Sequence, residues 1–284
     1  MKIIDNFLFC NEYDMLELRL KIMGDYVDQF NIVECDKTFT GAEKGFNLEK
    51  QLDRFAPWMH KINYIKASNP PITGNAWHIE TWQRNQFSQG WNNTTDQDVL
   101  LISDCDEIIR PEAIDFIRNT NYDYYGLYMP AFYFKFNYMD TKPDWHYKIW
   151  GKAYRFKNIS NINPDRLRYS GSHDFPNWNS VNVHHAGWHF GWLGDEEFAK
   201  NKIRSFSHTE VNTPEIIDNI NIDKHISEGR DHFRPENVTW VPVDLDNYFP
   251  KEIVENKEKY AAFILPDSGK TAQHYWPSPI LGTT

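Results

Sequence analysis

Short apolar runs alternate with amphipathic segments through the first 120 residues of the chain. The apolar runs, which predict buried strands, cover residues 2–10, 30–35, 62–67 and 99–103. The segments between them have apolar residues at helical spacing and cover residues 14–23, 48–55, 76–89 and 112–118. We expect Asp14 to be the N-cap of the first helix and Pro111 to lie in the first turn of the last one. The order predicts an α/β fold with a mostly parallel central sheet and helices on both faces.

The pattern changes after residue 120. Residues 124–138 and 148–156 are aromatic and partly alternating, which predicts an antiparallel aromatic extension of the sheet. Residues 166–182 are polar and rich in Gly, Ser and Asn, and we expect a loop there and a short strand at 181–188. Further helices are predicted at residues 194–206, 214–227 and 250–263. The tail, residues 266–284, has little pattern.

Composition narrows the possible classes of function. The 284 residues carry a formal net charge of −10 and no dense Lys/Arg run, so general binding to nucleic acid or to an anionic membrane is not expected. A local basic pocket for a phosphate remains compatible with this charge. No stretch approaches the roughly 18 consecutive apolar residues of a membrane span, so no transmembrane segment is predicted.

Three cysteines, Cys10, Cys35 and Cys105, are widely spaced and lie in or beside predicted strands. Their spacing matches no metal-binding pattern. We therefore expect buried free thiols in a protein of a reducing compartment.

The segment VLLISDCDEIIRP contains a D-x-D pair, Asp104 and Asp106, directly after an apolar strand. Side chains two residues apart on an extended chain point the same way, and paired carboxylates suit a hard divalent cation such as Mn²⁺ or Mg²⁺. The carboxyl ends of parallel strands are also where ligands bind in such sheets. The alternative is a chance D-x-D in an exposed loop. Glu107 is predicted to be a helix-start charge, and Cys105 to face away as a buried thiol.

The segment HHAGWHFGW, residues 184–192, concentrates histidines and tryptophans. A neutral imidazole can complete a metal site, and an indole face can stack on a sugar ring, so the cluster as a unit is a candidate site: His184, His185, Trp188, His189 and Trp192. The alternative is a core strand whose histidines have their hydrogen bonds satisfied. The H-E-x-x-H pattern of zinc proteases is absent.

Further polar residues are candidates for binding or catalysis. Asp195 and Glu196 open a predicted helix, where they either cap it or serve as a general base. Arg84 and Asn85 suit a phosphate and sugar hydroxyls, and the alternative is a solvated helix face. His208, Asp231 and Arg234 are further polar residues in aromatic surroundings, and His208 and Asp231 are candidates for contact with an acceptor sugar.

Five blocks together resemble glycosyltransferase family 17: IIDNFLFCNEYDMLELRL, VLLISDCDEI, AGWHFGW, KIRSFSH and YFPKEIVENKEKY. They follow the order of the family from about residue 3 to residue 262. The resemblance implies a GT-A fold, which is a nucleotide-sugar-binding α/β sheet with a metal-binding D-x-D. It also implies an inverting transferase that uses a UDP-sugar with Mn²⁺ or Mg²⁺.

The resemblance also implies roles for individual residues. The D-x-D pair would bind the metal, Asp104 would also contact the nucleotide, and His189 would be a third contact of the metal or the diphosphate. Arg84 and Asn85 would lie near the donor, and Asp195 or Glu196 would be the catalytic base.

The leading hypothesis is thus a metal-dependent inverting glycosyltransferase that moves GlcNAc or another hexose from a UDP-sugar to a glycan hydroxyl. We expect one domain over residues 1–284, since no linker or repeat is found. Residues 1–120 would bind the nucleotide, and residues 121–265 would bind the acceptor. Two alternatives stay open: a metal-dependent hydrolase that uses the Asp pair and the histidines, and a non-catalytic glycan-binding protein. The chain starts at its first predicted strand without an anchor or stem, so a soluble cytoplasmic enzyme of bacterial or viral origin is expected.

Overall fold

The computed structural model describes residues 1–142, 148–233 and 236–277, which form two β-sheets flanked by helices. In chain order the strands are β1 (Ile3–Phe9), β2 (Gln29–Cys35), β3 (Ile62–Ala67), β4 (Val99–Ile102), β5 (Glu107–Ile109), β6 (Tyr124–Met129), β7 (Ala131–Tyr133), β8 (Tyr138–Asp140), β9 (Lys148–Arg155), β10 (Ser180–Val183), β11 (Gly187–Gly191) and β12 (Trp240–Pro242). The α-helices are α1 (Tyr13–Met23), α2 (Ala76–Asn85), α3 (Pro111–Asn119), α4 (Pro164–Tyr169), α5 (Glu196–Ser205), α6 (Pro214–Asp218), α7 (Ile222–Glu228), α8 (Lys251–Val254) and α9 (Ala272–Tyr275).

The larger sheet has seven strands in the order β10-β6-β9-β4-β1-β2-β3. Strands β1 to β4 run parallel, and β9 runs antiparallel to both of its neighbours, β4 and β6. The predicted α/β class is confirmed, with a mostly parallel sheet and an antiparallel strand in the aromatic region.

Both faces of the larger sheet are covered, as the near-continuous apolar runs of its parallel strands require. On one face Ile3 and Phe7 belong to a core that includes residues of α1 and α3 and extends into the second sheet. On the other face Ile4 belongs to a core with Phe87 and with Leu167 of α4. The prediction of helices on both faces is therefore confirmed.

The smaller sheet has five strands in the order β12-β8-β7-β11-β5. Its strand β5, Glu107–Ile109, was not predicted, because three residues are too few to show a period. This strand pairs antiparallel with β11, so that Glu107 lies opposite His189. The pairing joins the D-x-D segment to the second cluster of candidate residues.

Several predicted boundaries are wrong for local reasons. Helix α1 has Glu12, not Asp14, at its N-cap, and Asp14 lies in the first turn. The predicted helix 48–55 is a 3₁₀ helix, Leu48–Trp58, interrupted at Gln51, and the predicted helix 76–89 ends in a 3₁₀ turn, Gln86–Gly90.

The second half of the chain contains more breaks than its pattern indicated. The predicted loop 166–182 contains most of α4, which Asn163 caps through the backbone N–H of Asp165, and the start of β10. The predicted strand 181–188 is two strands, because His185 has a positive φ of 51° between them. Helix 214–227 is two helices, since Asn221 caps α7. Of the predicted helix 250–263, only α8 and a 3₁₀ turn at Ala261–Phe263 form.

The three cysteines form no disulfide. Cys10, Cys35 and Cys105 are free thiols, and the last two are buried. Within the described ranges, no helix combines the length and the apolar character needed to cross a membrane.

Candidate active site

A cavity of about 820 Å³ lies at the carboxyl ends of β1, β2 and β4. Its opposite wall comes from β7, β9 and β11 and from the end of α5. This edge of a parallel sheet is where ligands bind in α/β proteins. The cavity lining includes the predicted site residues Arg84, Asp104, Asp106, His189, Trp192 and His208. The other predicted site residues are not among the described residues that line it: Asn85, Trp188, Asp195, Glu196 and Asp231.

A buried arginine of α1, Arg19, holds the backbone of the D-x-D segment in place. Its Nη1 donates to the carbonyl oxygens of Asp104 at 3.0 Å and Glu107 at 2.8 Å. Its Nε and Nη2 donate to both carboxylate oxygens of Asp5 on β1, at 2.8 and 2.7 Å. Because the Arg19 and Asp5 side chains are fully buried, this fork ties β1, α1 and the turn after β4 into one rigid unit.

Strand pairing brings His189 to the D-x-D pair. The backbone N–H of Phe190 donates to the carbonyl oxygen of Asp106 at 2.8 Å. The two side chains then face the same cavity, with His189 Nε2 3.8 Å from Asp106 Oδ1. Gly187 permits this pairing, since a Cβ at that position would collide with the carbonyl oxygen of Ile108.

Cationic side chains neutralise both carboxylates of the pair. Arg168 Nη2 lies 2.7 Å from Asp104 Oδ2, and Arg84 Nη2 lies 3.7 Å from Asp104 Oδ1. Loss of solvent in the cavity would raise the pKa of Asp104, but Arg168 and Arg84 outweigh it and hold that pKa at about 2. Desolvation likewise opposes ionisation of Asp106, but Lys202, with its Nζ 3.1 Å away, lowers the pKa of Asp106 overall.

His189 is held by aromatic rings. Its ring centroid lies 4.0 Å from that of Trp150 and 5.9 Å from that of Tyr133. Burial lowers the pKa of His189 below its usual value, although Asp106 and Glu107 oppose the shift. A neutral imidazole is the form that binds a metal. Its Nδ1 is buried and has no hydrogen-bond partner among the described residues.

The residues present fit a divalent cation that keeps part of its own water shell. Metal–ligand distances of about 2.1 Å separate two neighbouring ligand atoms by roughly 3.0–3.4 Å, and the 3.8 Å between Asp106 and His189 exceeds this range by an amount that small side-chain rotations can close. In the described ranges, no group of three or more His, Cys, Asp or Glu side chains forms a metal cluster. A full protein cage is not needed, since Mg²⁺ binds one or two carboxylates together with waters and substrate phosphates.

Arg84 is buried on α2 and faces Asp104, whereas its neighbour does not reach the cavity. Arg84 Nη1 donates to Asp165 at 2.8 Å, and its Nη2 pairs with Glu80 at 2.5 Å. The side chain of Asn85 instead accepts from the backbone N–H of Asp165 at 3.0 Å. The structure thus assigns Asn85 a role in fixing α4 to α2.

Trp188 cannot stack on a sugar, which corrects the prediction made for it. Its side chain is buried, with the Arg110 guanidinium 4.4 Å above the ring, and its Nε1 donates to the carbonyl oxygen of Tyr248 at 3.2 Å. Trp192 does line the cavity, with Lys202 Nζ 5.0 Å from its ring. At the mouth of the cavity, the exposed Trp77 contacts His208 edge-on, with 4.7 Å between ring centroids.

The two predicted base candidates hold the fold rather than face the cavity. Asp195 caps α5 by accepting from the backbone N–H of Phe198 at 2.8 Å, and Glu196 accepts from that of Ile222 at 3.3 Å. The capping alternative for Asp195 is therefore the one that the structure supports.

Other predicted positions also lie away from the cavity or outside the described residues. Asp231 is buried and accepts from the backbone N–H of Phe233 at 2.6 Å and from Trp240 Nε1 at 3.2 Å. His184 stacks on Tyr128. Arg234 lies outside the described residues, as do positions 278–284 of the predicted tail.

Glu107 is not the helix-start charge predicted for it. Its side chain is buried and accepts two hydrogen bonds from Arg168, at 2.6 and 2.9 Å, and one from the backbone N–H of Asp104 at 2.8 Å. The sequence gives no local signal for Arg168, which lies in the predicted loop 166–182. Lys202 is the first residue of the KIRSFSH block, which contributed to the family resemblance, but nothing in that block indicates its contact with Asp106.

This site belongs to a chain whose sequence matches a known family over most of its length. The model of glycosyltransferase family 17 matches residues 1–271. The chain belongs to glycosyltransferase family 17. The predicted resemblance is thereby confirmed, and the family 17 chain is an enzyme of the glycosyltransferase class.

Three curated relatives of this family 17 chain are β-1,4-mannosyl-glycoprotein 4-β-N-acetylglucosaminyltransferases. Those of Rattus norvegicus and Mus musculus are 26% and 28% identical, each over 41% of this chain, and that of Homo sapiens is 27% identical over 38%. The aligned segments span 23%, 23% and 22% of the relatives' own lengths.

Two solved structures with similar chains are both of the galactosyltransferase LgtC. One, in complex with donor and acceptor sugar analogs, has a TM-score of 0.32 and 10% identity, covering 64% of this chain and 73% of that one. The other, an active-site mutant, has a TM-score of 0.29 and 11% identity, covering 64% and 72%.

Proposed function

We propose that this chain transfers a sugar, GlcNAc or another hexose, from a UDP-sugar to a hydroxyl of a glycan, with metal dependence and inversion at the anomeric carbon. One observation carries the proposal: the D-x-D pair, His189 and two buried arginines converge on one cavity in a member of a glycosyltransferase family. In this proposal the chain acts as one domain, with the nucleotide bound mainly by residues 1–120 and the acceptor by residues 121–265.

Asp106 and His189 would hold Mn²⁺ or Mg²⁺, and Asp104 would contact the cation or the nucleotide. The 40% exposure of the Asp104 side chain supports this role, since a ligand can reach it without unfolding the turn. A bound divalent cation supplies positive charge to a leaving diphosphate. Arg84, fixed by Glu80 and Asp165, would face the same diphosphate with a preorganised guanidinium.

The acceptor would enter past Trp77 and His208 at the mouth of the cavity. A flat indole face suits the apolar face of a pyranose, and the exposure of Trp77 leaves that face accessible. Trp192, deeper in the wall, would contact the transferred sugar.

A general base must lie in the cavity, and this condition favours His208 over Asp195 and Glu196. His208 Nδ1 lies 2.6 Å from Glu210 Oε1. The carboxylate fixes the ring and leaves Nε2 to take the proton from an acceptor hydroxyl. The hydroxyl oxygen would then attack the anomeric carbon as the bond to the diphosphate breaks.

Calorimetry with a panel of nucleotide sugars, with and without Mn²⁺, tests the donor and metal assignments. We expect a UDP-sugar and UDP to bind in Mn²⁺ and to bind much more weakly after chelation. If neither UDP nor any UDP-sugar binds in Mn²⁺, the proposal is wrong.

The reaction itself distinguishes the other functions that the sequence left open. Hydrolysis of phosphoesters without a sugar acceptor would instead indicate a hydrolase. Glycan binding that is unaffected by UDP and by chelator would indicate a non-catalytic binding protein. Proton NMR of the product tests inversion, and a retained anomeric configuration would exclude single displacement.

A further inference from the structure

Arg168 is the centre of a buried charge network in the floor of the cavity. Its guanidinium donates to both carboxylate oxygens of Glu107, at 2.6 and 2.9 Å, and to Asp104 Oδ2 at 2.7 Å. It also donates to the carbonyl oxygen of Trp150. Since its side chain is only 10% exposed, Arg168 cannot exchange these partners for water without leaving the site.

The two carboxylates that Arg168 contacts differ in how firmly they hold it. The Glu107 side chain is 1% exposed and forms a two-point fork with the guanidinium. Asp104 is 40% exposed and accepts a single hydrogen bond from Arg168. A guanidinium can therefore give up its bond to Asp104 while the fork with Glu107 keeps it in the cavity.

Five carboxylates and three paired cations make up the fixed charges of the network. The carboxylates are Glu80, Asp104, Asp106, Glu107 and Asp165, and the cations are Arg84, Arg168 and Lys202. A divalent cation and Arg168 would compete for Asp104, because both need the same carboxylate as a partner. A diphosphate that enters with the cation offers Arg168 a replacement anion, and buried charges are stable when they are paired.

A fourth basic group, Lys152 of β9, lies at the back of the cavity. Burial is the main cause that lowers the pKa of Lys152 to about 7; Arg168 and Arg84 lower it further, and Glu107 and Asp104 oppose the shift. Its Nζ donates to the carbonyl oxygen of Arg168. This contact helps to hold α4, and with it Arg168, against β9.

We propose that Arg168 is an exchangeable counter-ion. Without ligand it donates a hydrogen bond to Asp104, and when the metal and the nucleotide bind together it gives up that bond and donates to the diphosphate instead. Glu107 is the positioning residue that retains Arg168 during the exchange. The consequence is a strong positive coupling between metal and nucleotide, with weak binding of either one alone. This inference rests on the proposed function; it adds Arg168, which the sequence did not identify, and gives Glu107 a new role.

Calorimetric titrations of the full chain with Mn²⁺ alone, and with UDP in saturating Mn²⁺, test the exchange. In Arg168→Gln we expect affinity for Mn²⁺ alone to rise about tenfold, because Asp104 loses its competitor, and affinity for UDP in Mn²⁺ to fall about tenfold or more. In Glu107→Gln, Arg168 is left to pair with Asp104 alone, so affinity for Mn²⁺ alone should fall. Arg168→Lys keeps the charge and should recover part of the UDP affinity.

A merely structural role would give a different result. Arg155 offers a matched control, since it is equally buried on β9 but donates to the carbonyl oxygens of Gln97 and Thr120. Arg155→Gln should leave both affinities unchanged. A parallel fall of both affinities in Arg168→Gln, or no change in either, overturns the exchange. Should Arg168→Gln not fold, Glu107→Gln carries the test: its affinity for Mn²⁺ alone should fall, and an unchanged or higher affinity overturns the exchange.

The wild-type titrations separate the two levels of proposal. If wild type does not bind UDP in Mn²⁺, the proposed function fails and the exchange fails with it. If wild type binds UDP in Mn²⁺, but its affinity for Mn²⁺ is the same in the presence and in the absence of UDP, only the exchange is wrong.

Discussion

Asp106 Oδ1 and His189 Nε2 lie 3.8 Å apart because β5 and β11 pair antiparallel beside them. The D-x-D pair and the G-W-H segment are far apart in the chain, and neither has a metal-binding spacing by itself. Their proximity turns two weak motifs into one candidate metal site. It also makes the site testable by single substitutions on either side of the strand pair.

Asp106→Ala should abolish metal-dependent UDP binding while the protein stays folded. The carboxylate would be lost from the cation, and a loss of at least about 100-fold in UDP affinity is expected. Calorimetry in Mn²⁺ measures the affinity, and circular dichroism reports the fold. The exposed Asp115 on α3 gives the control Asp115→Ala, which should bind UDP as wild type does. Unchanged UDP affinity in Asp106→Ala would mean that the carboxylates were misassigned.

Arg19→Met should destabilise the whole protein as well as the site. It leaves the Asp5 side chain buried without its partner, and breaking a buried pair in this way costs about 3–5 kcal/mol. Urea unfolding followed by fluorescence measures the free energy of unfolding. The half-exposed Arg118, whose side chain pairs with Asp28, gives the control Arg118→Met, for which we expect a loss of less than about 1 kcal/mol. Equal losses in the two variants would show that the Arg19 fork does not hold the D-x-D turn.

His208→Gln and Asp195→Ala should separate catalysis from capping. If His208 is the base, His208→Gln lowers kcat about 100-fold and changes stability little. Asp195→Ala loses the cap of α5 and should lower the free energy of unfolding by about 1 kcal/mol with kcat retained. Steady-state kinetics and urea unfolding of both variants make the comparison. A large fall in kcat for Asp195→Ala alone would restore Asp195 as the base.

Glu17 should contribute stability that disappears in acid. Burial opposes its ionisation, but hydrogen bonds with Lys21 and Arg54 outweigh this and lower its pKa to about 2, from an ordinary value of 4.5. A depressed pKa in the folded state stabilises the protein above pH 4.5, and this contribution is lost as the pH falls toward 2. Glu17→Gln should therefore be less stable than wild type at pH 7, and the gap should close between pH 4.5 and 2.

Thermal unfolding at several pH values measures this gap for Glu17. Glu43→Gln, at an exposed carboxylate, is the control and should differ little from wild type at any pH. A gap that stays constant down to pH 2 would contradict the assigned pKa.

The first half of the fold was predictable because its signals are local. Four apolar runs gave β1 to β4, and the parallel order followed from the helices between them. The breaks in the second half were not predictable, since they depend on single backbone angles such as the positive φ of His185.

Part of the candidate site was also predictable from local signals, and the rest depends on contacts between distant segments. Asp104 and Asp106 follow a strand, so their location at the sheet edge could be inferred. Arg168 could not, because its role depends on α4 packing against β9 and α2, and the polar sequence around it looks like a loop. Glu107 was misread because three residues of β5 carry no period, and only the pairing partner shows that this carboxylate points inward.

The antiparallel pairing of β5 with β11 has a consequence for the order of assembly. Residues up to Arg110 are synthesised long before Gly187 leaves the ribosome, so the nascent chain contains both aspartates but lacks their histidine. The contact between the two segments is of long range, and such contacts close late because loop entropy must be lost first. Maturation of the catalytic centre should therefore coincide with the last steps of folding, and a fragment ending before residue 187 should show no cooperative response to manganese and UDP.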